Sequence, residues 1–342
     1  METGPASPRP LWHPLARSVL YMVAYAAVQL AVVLLFSLLD WALGGVLSAE
    51  GGLAGSNEAF LLATVLAAPP MLLATWLFVR YLDRRGLGSI GIRWPEGGRG
   101  KAALQVLTTA LAVAALLGVW LALTAALAEV RFEGLSKPFR EPSPGWPLPQ
   151  VLFLALLLLG FLVQGGLEEL VVRGYIYRAL KERWRPWLAA LSSSLLFSLL
   201  HATNPSVSWV ALVNIVLAGL VLAAMVERSG SLWSATVAHG FWNWGVACAL
   251  SLPVSGIRIF RLFDLSIAGD DRVTGGGFGP EGSLVLTTLG LLLALALWAP
   301  LWRRSPTGPL PPRKTAPAAL PAEDAPPTQP SAPEDDPGPS LL

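Results

Sequence analysis

Apolar runs of membrane-spanning length alternate along the chain with short clusters of charged, glycine and proline residues. A helix needs about 20 predominantly apolar residues to cross a hydrocarbon core. Eight stretches meet or approach that length, at roughly 16–40, 58–81, 102–128, 149–181, 187–203, 208–227, 231–252 and 282–302. The first is too long for a cleavable signal peptide, and it ends at Ser37-Leu38-Leu39-Asp40 without a small-x-small cleavage site. The fourth exceeds what a bilayer requires, which predicts a tilt or a projecting amphipathic turn. Pro69-Pro70 predicts a kink in the second. The pattern predicts an all-α polytopic membrane protein of about eight transmembrane helices.

Charge placement tests the count. Arg9 and Arg17 precede or open the first span. The 2–3 connection holds Arg80, Arg84, Arg85, Arg93, Arg99 and Lys101, and the 4–5 connection Arg178, Lys181, Arg183 and Arg185. Arg303, Arg304, Arg313 and Lys314 follow the last span. The alternate loops carry no Lys or Arg, or offset them with acids. An even number of spans puts every basic cluster on one side, so both termini are expected in the cytoplasm. Reporter fusions after residues 55, 90, 140, 184 and 265 should then read outside, inside, outside, inside, outside. Two adjacent fusions reporting the same side would break the eight-span count.

Composition narrows the class. Apolar residues make up 54% of the 342, charged residues 13%, and mean hydropathy is +0.57. A soluble domain carries roughly 25% charged residues, so an ordinary cytosolic enzyme is excluded. The net charge of +2 comes with no basic run interleaved with aromatics, and no nucleic-acid partner is expected. The expected partners are the lipid bilayer and a peptide or membrane-protein substrate. A single cysteine, Cys248, excludes an intrachain disulfide and a Cys-based zinc site. From about residue 305 the chain holds 12 of its 29 prolines and no aromatics, the composition of a disordered cytoplasmic tail. That tail, and the lack of an organelle-targeting sequence, point to a prokaryotic cell-membrane protein.

The polar residues inside the spans are concentrated. A charge at the centre of a membrane helix costs about 2.5–3.5 kcal/mol on insertion scales, so it needs a reason. The fourth span contains Gly165-Gly166-Leu167-Glu168-Glu169 followed by Arg173-Gly174, the fifth ends Phe197-x-x-x-His201, and the seventh contains His239-x-x-x-Asn243. Glu169 and Arg173 are four apart on one helix face and can neutralise each other, which marks them as a structural ion pair. Glu168 is rotated about 100° away and cannot share that arginine equally, which makes it the catalytic candidate. His239 and Asn243 face one direction by the same spacing, and Phe197 should pack beside His201. Counted from the cytoplasmic ends, the four polar groups lie roughly 12–22 Å deep at 1.5 Å per residue, so they can meet in one polar cavity. The three glycines would let neighbouring helices approach around it.

Glu168-Glu169-x-x-x-Arg173, Phe197-x-x-x-His201 and His239-x-x-x-Asn243, in this order in membrane spans, resemble the CAAX-protease and bacteriocin-processing family (CPBP, or Abi), which includes the Ras-converting CAAX endopeptidases. Arg173-Gly174-Tyr175, Asn214 ahead of Gly219, and Arg228-Ser229-Gly230-Ser231-Leu232-Trp233 add to the resemblance, which covers roughly residues 150–250. It implies an intramembrane endopeptidase in which Glu168 and His201 activate a water while His239 and Asn243 stabilise the tetrahedral oxyanion. A desolvated carboxylate is a better base near neutral pH, and an imidazole and an amide are suitable oxyanion donors. A serine mechanism is less attractive, because Ser192, Ser193 and Ser194 lie two to three turns from His201 and no Asp completes a triad.

The chemistry also permits zinc, with Glu168, His201 and His239 as three ligands and one open position. No His-Glu-x-x-His is present, and carboxylates to orient the histidines are scarce, so a metal-independent glutamate mechanism without a cofactor is favoured. Two other functions stand beside proteolysis. One is a non-proteolytic membrane scaffold or immunity protein. The other, less favoured, is a transporter, which would string polar residues through the full depth of the membrane instead of gathering them in one layer. The expected organisation is three N-terminal spans over 1–148, a catalytic core of four helices over 149–252, an external loop and last span over 253–304, and the Pro-rich tail over 305–342.

Overall fold

The computed structural model describes residues 10, 12–42, 44–45, 57–93, 98–140 and 150–304. The Pro-rich tail and parts of the 1–2 and 3–4 connections lie outside the described residues. The chain is mostly helical. Helices α1 (Pro14–Ala42), α2 (Asn57–Leu77) and α3 (Gly98–Ala125) precede a strand β1 (Glu129–Leu135). Then come α4 (Gln150–Glu169, continued by a π-helical stretch Leu170–Ile176 and a last turn Tyr177–Leu180), α5 (Pro186–Leu200) and α6 (Trp209–Ser229). Helix α7 (Trp233–Trp244, continued by a π turn Gly245–Ala249), strand β2 (Phe263–Ala268) and α8 (Leu284–Arg304) follow, and short helical turns at Lys137–Arg140 and Asp271–Thr274 lie in the connections.

Among the described residues, six helical stretches are long and apolar enough to cross a membrane: α1, Ala59–Leu82, α3, Gln150–Leu180, α6 and Leu284–Trp302. The other two predicted spans form as shorter helices. Pro186 opens α5 at its first turn, where its missing N–H costs nothing. Pro205 cannot continue a helix and disfavours helical backbone just before it. Helix α5 therefore stops after 15 residues, and His201 sits as its cap with φ −97° and ψ 0°. The predicted fifth span reached residue 203, so the histidine lies just beyond the helix instead of inside it. Pro69 and Pro70 fall inside α2.

A second difference is the β-structure. Strands β1 and β2 pair antiparallel, with Val130 opposite Ile267 and Phe132 opposite Leu265. Phe263-Asp264-Leu265-Ser266-Ile267 alternates apolar and polar positions with the two-residue period of a strand. A search for 20-residue apolar runs passes over such a segment.

Contacts between connections sort them into two faces. On one face, β1 pairs with β2, Phe260 N donates to Asn57 Oδ1 at 2.6 Å, and Ser136 Oγ donates to the Arg261 carbonyl at 2.6 Å. These bonds join the 1–2, 3–4 and 7–8 connections. On the other face, buried Arg17 pairs with Asp83, and its Nη2 reaches Glu182 Oε2 at 2.6 Å. Arg178 donates to the carbonyls of Ser89 (3.2 Å) and Gly230 (3.0 Å) there. This joins the start of α1 to the 2–3, 4–5 and 6–7 connections. Six of the helices between these faces are long and apolar enough to span a membrane, and the shorter α5 and α7 lie among them in chain order. The face that gathers the arginines is the one expected to be cytoplasmic.

Candidate functional site

The site is built where α4 crosses α7. A Cβ on Gly240 would lie 2.7 Å from Leu162 Cα and 2.8 Å from the Phe161 carbonyl oxygen, so only glycine permits the approach. Gly165 faces it, with a Cβ position 3.1 Å from Gly240 N. This close crossing brings the residues that follow each glycine, Glu168-Glu169 and Asn243, alongside His239.

Glu169 and Arg173 are both fully buried and pair at 2.9 Å. The π-helical stretch that begins at Leu170 carries Arg173, and such bulges are frequent at functional sites. The guanidinium also lies over the Phe197 ring, 4.4 Å from its centroid. Glu169 does more than neutralise the arginine, because its Oε1 accepts from His239 Nδ1 at 2.9 Å. A carboxylate oxygen can only accept, so Nδ1 carries the proton. His239 Nε2 then faces Glu168 Oε2 at 3.7 Å. His239 is bracketed by adjacent glutamates from one helix.

Glu168 has a local partner that the Arg-centred reading overlooked. Gln164, one turn earlier on α4, donates from Nε2 to Glu168 Oε1. The Oε1 of the same amide accepts from Asn243 Nδ2 at 3.2 Å. His201 sits apart from this group and forms neither an ion pair nor a hydrogen bond with Glu168. Its Nδ1 lies 2.9 Å from the Phe197 carbonyl, and its ring meets the Phe197 ring edge-on at 4.7 Å. A carbonyl also only accepts, so His201 Nδ1 holds its proton and Nε2 keeps a free lone pair.

Glu168, His201, His239, Asn243 and Gln164 all line one cavity of about 840 Å³. Ser192, Ser193 and Ser194 do not line it. Beyond these polar groups the wall from α3, α6 and α8 is mostly apolar, with Val113, Leu222, Leu286 and Leu293 beside Thr108, Thr109 and Asn214. Among the described residues no group of three or more His, Cys, Asp or Glu side chains is arranged to hold a metal ion. Glu168, His201 and His239 thus do not converge as the three-ligand zinc set that their residue types allow.

Glu281, just before α8, is a second carboxylate on the cavity that the sequence reading missed. Its Oε1 accepts from Trp242 Nε1 at 3.1 Å, and its Oε2 from Ser255 N at 2.6 Å and Ser255 Oγ at 3.0 Å. Burial pushes its carboxyl above the usual range, against the pull of these donors and of His201 nearby. Its backbone carbonyl accepts from Asn214 at 2.8 Å, and Asn214 also donates to the Ser283 carbonyl at 2.8 Å. The resemblance had marked Asn214, and its place is a tie between α6 and the start of α8. A lone Glu in a 30-residue connection carries no sequence signal of this role.

These features define a multi-pass membrane protein with a polar cavity inside its helical bundle. Residues 150–245, from the start of α4 to the end of α7, match the family model described as Type II CAAX prenyl endopeptidase Rce1-like. No curated protein matches the chain. The match makes this segment similar to the CPBP family and supports a CAAX-type intramembrane endopeptidase in general. It contains every polar side chain of the α4–α7 crossing and ends before Glu281.

Proposed function

We propose that the chain hydrolyses a peptide bond in a membrane-associated peptide or protein, with a water activated by Glu168 and His201 and without a metal. The observation that carries this reading is the gathering of Glu168, His201, His239 and Asn243 on one cavity within the family-matched segment. His201 Nε2, whose lone pair is left free by the Nδ1 bond to Phe197, accepts a hydrogen bond from the water. Glu168 removes the water's proton as its oxygen attacks the scissile carbonyl carbon. The carbonyl oxygen becomes an oxyanion, held by the second N–H of Asn243 Nδ2 and by a protonated His239 Nε2. Glu169 holds His239 in orientation, and Arg173 balances the charge of Glu169. The proton on Glu168 then passes to the leaving amine as the C–N bond breaks. The apolar wall suits the lipid-embedded part of such a substrate.

The test uses the purified full chain and a quenched-fluorescence farnesylated CAAX peptide. Cleavage should proceed at its original rate after dialysis against a strong chelator, and elemental analysis should find no stoichiometric zinc. One zinc per chain, lost together with activity and regained on adding zinc back, would overturn the metal-free mechanism. Comparison of membrane and secreted peptides between cells making the wild type and Glu168→Ala identifies the natural substrate.

A further inference from the structure

Gln164 is the one long polar side chain between Val151 and Leu167 in an otherwise apolar helix run, and nothing in the family motifs refers to it. Its amide touches two of the proposed reacting groups at once. Nε2 donates to Glu168 Oε1, and Oε1 accepts from Asn243 Nδ2 at 3.2 Å. A primary amide is the side chain suited to this, because it offers donors at one end and an acceptor at the other. A carboxylate could not donate to Glu168, and an apolar residue would leave both neighbours unpaired.

The consequences are directional. Asn243 Nδ2 has two hydrogens, and committing one to Gln164 fixes the plane of the amide and so the direction of the second. Glu168 Oε1 is likewise held, while its Oε2 faces His239 Nε2. The close α4–α7 crossing at Gly165 and Gly240 sets the spacing that lets one amide span both helices.

We infer that Gln164 is a positioning residue that ties Glu168 on α4 to Asn243 on α7 as one hydrogen-bonded unit, so that water activation and oxyanion binding keep a fixed mutual geometry. The inference rests on the reading of Glu168 and Asn243 as catalytic groups. Misplacing a catalytic group by about 1 Å can cost 10²-fold in rate. Gln164→Leu, which keeps the bulk and removes the amide, should therefore lower kcat about 10- to 100-fold with KM changed less than about twofold. The same substitution in an Asn243→Ala background should cost much less, because its route to the oxyanion donor is already gone.

The experiment is a double-mutant cycle on the full purified chain, with Gln164→Leu, Asn243→Ala and the double variant. Cleavage of the farnesylated CAAX peptide and thermal melting are measured for each. Gln164→Asn, which keeps an amide but reaches one methylene less far, supplies a second variant if Gln164→Leu does not fold. Non-additive losses in kcat, with KM unchanged, and non-additive shifts in melting temperature are the expected results. Additive losses in both, or an effect confined to KM, would overturn the inference. A wild-type chain that does not cleave the peptide counts against the proposed activity on that substrate. In that case the melting cycle alone decides the bridge, and additive melting shifts would overturn it.

Discussion

Glu168→Gln is expected to abolish cleavage while the protein accumulates and melts as the wild type does. The replacement is isosteric, and its carbonyl oxygen can still accept the bond from Gln164, so the helix crossing keeps its contacts. What disappears is the carboxylate proposed to take the water's proton, because a neutral amide is not a base. The side chain lies partly open to the cavity, at 22% exposure, which limits any cost in folding. His201→Ala should also remove cleavage, since the water then loses the acceptor that orients it. Asn243→Ala should behave differently and keep residual activity, as loss of one oxyanion donor typically costs about 10²–10³ in rate. Peptide cleavage by the three variants, measured beside their melting curves, checks the ranking. A Glu168→Gln variant with wild-type turnover would remove Glu168 from the mechanism.

Arg173→Ala should act on the fold. Arg173 and Glu169 are both at 0% exposure, so removing the cation leaves a buried carboxylate with only His239 for company. Breaking a buried pair by removing one partner costs about 3–5 kcal/mol. Loss of the guanidinium from the face of Phe197 adds to that cost. The variant should accumulate poorly in membranes and melt early, while Glu168→Ala, made in parallel, should accumulate normally. Equal, wild-type accumulation of both would contradict the division between the two glutamates.

The Glu169–Arg173 pairing was legible in the sequence because helix periodicity is a local property. Glu169 and Arg173, four apart, had to share a face, and the structure pairs them at 2.9 Å. The same spacing rule put Phe197 beside His201, where the rings meet at 4.7 Å. Gln164 stands four before Glu168 and could have been found in the same way. An amide inside an apolar run carries no charge to mark it. Glu281 had no such signal. It reaches the cavity only because the connection before α8 folds back and is tied to Trp242 and Ser255. The two strands were hidden for a related reason, since they are too short to stand out among membrane-length apolar runs and their pairing partners lie more than 100 residues apart.

Length and apolarity of the runs alone determined that this is a bundle of membrane helices, because hydrocarbon leaves a backbone few other ways to satisfy its hydrogen bonds. Motif spacing likewise determined which side chains share a helix face. Tertiary structure decided what those faces meet. It set His239 between Glu168 and Glu169, joined Glu168 to Asn243 through Gln164, and left His201 at the end of α5 with its Nδ1 held by the Phe197 carbonyl. The physical reason is that a helix repeats its own geometry from local bonds, whereas the approach of α4 to α7 depends on where two glycines far apart in the chain come to face each other.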